Sequence, residues 1–119
     1  MADRVQYIID GMAKPLREVE EMEIFQPNEI RSIVKQRTDR EYILMRRKLE
    51  PRNFADYIEY ERKLEKLLAI RVNRRARTAS KDEVDSMRRL QGVFFKHVCY
   101  IFDRAVRRFS QVRGLWNRY

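Results

Sequence analysis

NFADYIEYERKLEKLLAIRVNRR, residues 53–75, is the stretch that decides the fold. Phe54, Tyr57, Ile58, Leu64, Leu68 and Val72 recur at the intervals that line one face of an α-helix. Tyr60, Leu67 and Ile70 widen that face well past a single stripe. A helix apolar over so broad an arc needs neighbours on two sides, so the segment belongs inside a stack of helices. Pro51, suited to a first helical turn, starts it after Leu49 and Glu50. Arg71, Arg74, Arg75 and Arg77 close it, where cations complement the negative end of the helix dipole.

Downstream, Ser80 and Glu83 form an S-x-x-E capping box that opens another helix. Val84, Met87, Phe94, Phe95, Val98, Ile101, Phe102, Ala105 and Phe109 give it one long face to bury. Asp85 with Arg89 and Asp103 with Arg107 are placed to pair along its exposed side, and Gly92 is expected to bend it slightly. Upstream, Pro27 at a first helical position and Glu29, able to reach back to the exposed amides, start a helix that should run to about Lys48. Its stripe is Ile30, Ile33, Val34, Leu44 and Met45, interrupted by Arg37 and Glu41. Four apart and opposite in charge, these two are expected to pair with each other as a half-buried structural pair; the alternative is that they anchor a partner peptide.

The first helical pattern covers about Asp3 to Met22 through Val5, Ile8, Ile9, Met12, Leu16 and Val19. Pro15 predicts a kink or short break near Gly11 to Lys14. Glu18, Glu20, Glu21 and Glu23 then crowd its C-terminal turns against the dipole, marking a weak terminus or a docking surface. No period-two run is long enough for a strand. The expected class is all-α, built from antiparallel helical hairpins.

The 119 residues carry a net charge of +9, with 38% charged side chains and only three Gly and three Pro, which argues against flexible linkers. Residues 1–29 hold three basic and seven acidic side chains, a net −4, so residues 30–119 carry +13. That bias favours polyanions, RNA above all, or acidic protein surfaces, although interleaved charges also describe an ordinary solvated helix face. The single Cys99 cannot form an internal disulfide and is expected as a small buried hydrophobe in a reducing compartment. With no secretory signal and no stretch near the ~20 apolar residues that span a bilayer, the chain is expected to be soluble and intracellular.

His97 is the only histidine, and Cys99 two residues on points to another side of a helix, so neither a metal cluster nor a Cys-His nucleophile is expected. Gly11, Gly92 and Gly114 are isolated and form no phosphate loop. No catalytic residue, metal or cofactor is therefore expected.

Phe54, Tyr57 and Glu61 stand at positions n, n+3 and n+7, and Trp116 with Tyr119 repeat the first two in a helix that begins after Gly114. Between them, YIFDRAVRRF at 100–109 carries Ile101, Phe102, Arg104 and Ala105. This arrangement resembles the half-a-TPR, or HAT, repeat of RNA-processing proteins, whose helix A carries an aromatic, then Tyr, then Glu, and whose helix B reads I-F-x-R-A-L. Phe54 and Trp116 are 62 residues apart, more than the ~34 of tetratricopeptide-type repeats, and an elongated first helix pair absorbs the excess. MADRVQYIIDGM (1–12), EIRSIVKQRTDREYILMRR (29–47), DYIEYERKLEKL (56–67) and IFDRAVRRF (101–109), in that order, resemble the N-terminal region of the U three protein number six (UTP-six) family, the HAT-repeat subunits of the UTP-B complex of the small-subunit processome.

The resemblance implies the start of a HAT superhelical solenoid: a family-specific helical hairpin at 1–49, a first HAT-like helix pair at 50–110, and the truncated start of the next repeat at 111–119. It implies a nuclear, nucleolar, non-enzymatic scaffold in early 18S ribosomal RNA processing, with other UTP-B subunits, WD40 proteins included, as partners. Members of this family are much longer, so the chain is expected to be a fragment or truncated isoform, with Trp116 and Tyr119 folded back as a lid over the last apolar face. A second function is direct contact with pre-ribosomal or small nucleolar RNA backbone by Arg46, Arg47 and Lys48, by Arg71, Arg74, Arg75 and Arg77, and by Arg107, Arg108 and Arg113. Base stacking is not expected, because the aromatics are assigned to the core. A third is a HAT scaffold in splicing or messenger-RNA 3′-end formation.

Overall fold

A computed structural model describes residues 2–109, with side chains from Arg4 onward. Within them the chain forms five helices, α1 (Ala2–Gly11), α2 (Ala13–Glu21), α3 (Pro27–Ile43), α4 (Pro51–Ala76) and α5 (Lys81–Arg108), and no strand. The break between α1 and α2 falls at Met12, inside the window set by Pro15: the ring supplies no N–H and crowds the preceding turn. Arg113, Trp116 and Tyr119, and with them the expected lid and third segment, lie outside the described residues.

Local chemistry starts each later helix as its sequence suggests. The backbone N–H of Gln26 donates to Glu29 Oε1 at 2.9 Å, and that of Glu50 to Asn53 Oδ1 at 2.8 Å. Pro27 and Pro51 occupy the first turns of α3 and α4, and Ser80 Oγ accepts from the Glu83 amide at 3.2 Å to cap α5. α2 ends in a left-handed closure at Glu23, with φ of 59°. The Ile24 amide donates to Val19 O and the Glu23 amide to Glu20 O, both at 2.9 Å, and buried Ile24 packs beside buried Val19. The crowded glutamates thus end in a closed cap, and Glu18 is held by Arg89 of α5.

α4 and α5 form the most extensive antiparallel pair, α3 runs antiparallel to α4, and α2 packs on both α3 and α5. The result is a slab of 48 × 32 × 18 Å. One apolar cluster joins Leu16, Val19, Phe25, Ile33, Leu68 and Leu90 at the end where α4 finishes. A second joins Leu44, Phe54, Tyr57, Ile58, Ile101 and Ala105 at the end where α4 begins. All six residues of the predicted α4 face are buried.

Several expectations are corrected. α3 stops at Ile43 rather than near Lys48, because Leu44 is its last buried side chain and Arg46, Arg47 and Lys48 gain no packing. The chain must also turn there to deliver Glu50 in the extended conformation that precedes Pro51, with φ of −106° and ψ of 151°. On α5, Phe95 is 56% exposed and Leu90, absent from the expected face, is fully buried. The burial arc passes through Leu90, Phe94, Val98, Ile101 and Ala105, so positions one residue past Phe94 and Val98 turn outward. Cys99 is accordingly exposed, not buried. Arg89 pairs with Glu18 across helices instead of with Asp85, whereas Asp103 and Arg107 do pair at 3.1 Å. α5 continues unbroken through Gly92.

In urea unfolding, Leu68→Ala should cost about 2–5 kcal/mol by leaving a cavity, while Phe95→Ala should shift stability by less than about 0.5 kcal/mol. Glu23→Gly should raise stability by about 0.5–1 kcal/mol, since glycine adopts the left-handed conformation without a Cβ clash.

Candidate functional site

Between the two apolar clusters lies a layer of buried charge. α3 contributes Arg37 and Glu41, one turn apart and 3% and 1% exposed; α4 contributes Tyr57 and Glu61, one turn apart and 0% and 1% exposed. Arg37 does not pair with Glu41. Its Nε and Nη2 donate to the two oxygens of Glu61, both at 2.9 Å, a bidentate pair between helices. Glu41 is clasped in the same way by Arg104 of α5, through Nη1 and Nη2 at 2.9 Å each, and also accepts from the Tyr57 hydroxyl at 2.9 Å. The expected local pair is replaced by two cross-helix pairs because each carboxylate then meets a guanidinium fork face on, which an i,i+4 arrangement does not offer.

His97 of α5 completes the layer. Its Nε2 lies 3.4 Å from Tyr57 Oη and 3.9 Å from a Glu61 oxygen. The Tyr57 proton is committed to Glu41, so Nε2–H is the donor towards Tyr57 and Nδ1 carries the lone pair. Burial first, then Arg37 and Arg104, push the imidazole down to about 3, and it stays neutral. Burial, with Glu41 and Glu61 nearby, raises the Tyr57 phenol far above its usual range. Arg37 also lies over the Phe94 ring at 5.4 Å, and Arg104 over Tyr100 at 5.0 Å. Among the described residues no buried side-chain polar atom lacks a partner.

Of the residues matched to the HAT pattern, Phe54, Tyr57, Glu61, Ile101 and Ala105 all meet at the α4–α5 interface or the charge layer. Phe102 packs partly buried beside them, and Arg104 holds Glu41. Phe54 meets Phe109 edge-on, with ring centroids 5.8 Å apart. The basic residues divide into two groups. Arg46, Arg47 and Lys48 are exposed after α3, and Arg108 reaches the Arg47 carbonyl at 3.4 Å, so these residues gather with Arg107 at one end of the slab. Arg71, Arg74, Arg75 and Arg77 lie at the other end of α4, whose 26 residues span roughly 39 Å at 1.5 Å each. Arg71 is engaged there by Glu29 at 2.8 Å, by the Ile24 carbonyl at 2.9 Å and by the Phe25 ring, and Arg75 reaches the Glu23 carbonyl at 3.4 Å. The Arg71 fork and the Gln26 amide hold the Glu29 carboxyl below its ordinary range.

Not every aromatic is in the core: Tyr7 is 80% and Tyr100 44% exposed, a correction to the expectation that all are committed inward. Sequence inspection missed His97 as part of the layer. Its signal is a polar residue four before Ile101 on the buried side of α5.

These features define an all-helical protein whose interior polar groups are occupied with one another, leaving its surface for interaction. The family description "U3 small nucleolar RNA-associated protein 6" matches residues 9–91. The chain is 34% identical over 121 residues to the human protein named U3 small nucleolar RNA-associated protein 6 homolog, aligning all of this chain with 19% of that protein. It is 33% identical over 119 residues to the Schizosaccharomyces pombe U3 small nucleolar RNA-associated protein 6, again along its whole length and over 23% of the relative. The chain belongs to this family, and it spans about a fifth of the length of these curated relatives.

Glu61→Ala, which strands Arg37 in the interior, should destabilise by about 3–5 kcal/mol, and the double change Arg37→Met with Glu61→Leu should recover most of that loss. The unfolded chain binds a proton at His97 below about pH 6.5, whereas the folded chain does so only near 3. Stability is therefore full above the unfolded value and falls as pH drops through that window, by about 1.4 kcal/mol between about pH 7.5 and 5.5. Urea titrations of wild type and His97→Gln check this: the variant should lose that dependence.

Proposed function

We propose that this chain is the N-terminal part of a non-enzymatic scaffold of the small-subunit processome, supporting early pre-ribosomal RNA processing toward 18S RNA in the nucleolus. In this proposal residues 50–110 act as the first HAT-like helix pair behind a family-specific hairpin at 1–49, with the next repeat starting at 111. Other UTP-B subunits, WD40 proteins among them, are the partners. Support comes from the names of the relatives, which associate them with U3 small nucleolar RNA, and from the antiparallel α4–α5 pair that gathers the HAT-pattern residues at its interface.

The observation that carries the protein-binding role is an apolar groove of about 390 Å³ along α4 and α5, walled by Ile58, Phe95, Val98 and Val106. An outward Phe95 in such a groove suits the apolar side chain of another subunit. Phe95→Glu in the full-length protein should sharply reduce co-purification of other processome subunits while leaving the melting temperature near wild type. Undiminished recovery would remove this groove from the scaffold's contacts. Recovery by the full-length protein but not by the 119-residue chain would move the contact to later repeats.

A second function, RNA-backbone binding, is favoured by the gathering of Arg46, Arg47, Lys48, Arg107 and Arg108 at one end. Affinity of the chain for a single-stranded RNA should then fall steeply with salt, each neutralised phosphate contributing about −0.7 to the logarithmic slope. A flat salt response rules it out. Nucleolar staining of the full-length protein separates the processome role from one in splicing or 3′-end formation.

A further inference from the structure

On the side of the slab opposite the basic ends, the α1–α2 break faces the middle of α5 across two adjoining hollows of about 240 and 510 Å³. They share Gly11, Met12, His97 and Tyr100, and the larger is walled by Tyr7 and Ile8. We propose that this hollow receives an uncharged aromatic side chain bearing an N–H donor, a tryptophan indole, presented by a segment of a partner protein, and that His97 Nδ1 accepts its hydrogen bond. The proposal rests on the protein-binding function above and names the chemistry of one contact.

Three observations carry it. The first is the acceptor. Nε2 of His97 is turned inward to Tyr57, and no described residue donates to Nδ1. Because no buried polar atom lacks a partner, Nδ1 is a nitrogen that solvent or a ligand can reach, although 90% of the side chain is covered. The imidazole beneath the hollow is neutral, so it offers a lone pair rather than a positive charge, and it suits a donor rather than a carboxylate or phosphate.

The second is the charge balance. Arg37 is cancelled by Glu61 and Arg104 by Glu41, and the titratable groups at the rim are one lysine, Lys96, and one aspartate, Asp10. Asp10 is itself engaged by Gln6 at 2.8 Å. A phosphate would find no net field here, while a neutral ring leaves no charge uncompensated. The third is shape and surface. Tyr7 presents a large apolar ring, and Tyr100 is steadied by Arg104 over its face and by the His97 ring 6.3 Å away. Met12 at the break is an adaptable filler.

The test is a titration of the ¹⁵N-labelled 119-residue chain with N-acetyltryptophanamide, its 1-methylindole analogue and adenosine 5′-monophosphate. The expected result is saturable shifts of α1 and mid-α5 amides and a protonation-independent shift of the His97 Nδ1 resonance with N-acetyltryptophanamide. The 1-methyl analogue, which lacks the donor, should bind roughly three- to tenfold more weakly, the worth of one neutral hydrogen bond. Tyr7→Ala should weaken the indole response without lowering the melting temperature.

Equal affinity for both indoles, no response, or a stronger response to the nucleotide overturns the proposal. So does a pre-existing shift that grows with chain concentration, which would assign the hollow to a second copy. The titration contains no partner protein, so an intact indole response alongside failed subunit recovery would remove the scaffold role and leave the site, and the converse would remove the site alone.

Discussion

Three long helices are locked together by two guanidinium–carboxylate clasps that share no member. Arg37 of α3 grips Glu61 of α4, and Arg104 of α5 grips Glu41 of α3, with Tyr57 bridging toward His97. The apolar clusters on either side supply most of the driving force, but burial of hydrocarbon is non-directional. The clasps are directional. A slide of one helix by a single turn, about 5.4 Å, would part both forks and leave charges stranded where water does not reach them. Register among α3, α4 and α5 therefore follows from the charge layer, and the positions of all surface features follow from the register.

An interior so fully paired has consequences for function. Tyr57 and His97 are titratable, yet both are held far from the pH range in which side chains exchange protons. The interior groups act as structure. What remains for interaction is placed on the faces: basic side chains at the two ends of α4, an apolar groove on the α4–α5 side, and the tyrosine-walled hollow at the α1–α2 break. A family of proteins about five times longer than this chain, named for association with a small nucleolar RNA, is consistent with a molecule that works by presenting surfaces.

Much of this was legible in the residues. The α4 face from Phe54 to Val72, the first-turn prolines, the Ser80 cap and the break ahead of Pro15 are local matters, governed by spacing and by backbone chemistry within a few residues, and each stands where the spacing puts it. The groups of the charge layer were visible as anomalies, polar residues interrupting apolar stripes. Their partners were not, because Arg37 and Glu61 are 24 positions apart and Glu41 and Arg104 are 63 apart. Local pairing of Arg37 with Glu41, or of Asp85 with Arg89, is the default that sequence spacing suggests. Packing overrode it once better-aligned counter-charges arrived from other helices.

The amino-acid sequence by itself determined that this protein is helical, where its helices begin, and which face of α4 is buried, because those outcomes depend on periodicity and on neighbours along the chain. Only the tertiary structure decided where α3 ends, that Phe95 and Cys99 turn outward, and which arginine meets which glutamate. Those outcomes depend on what lies across a helix interface, and long-range electrostatic and steric complementarity leaves no trace in the spacing of a single segment.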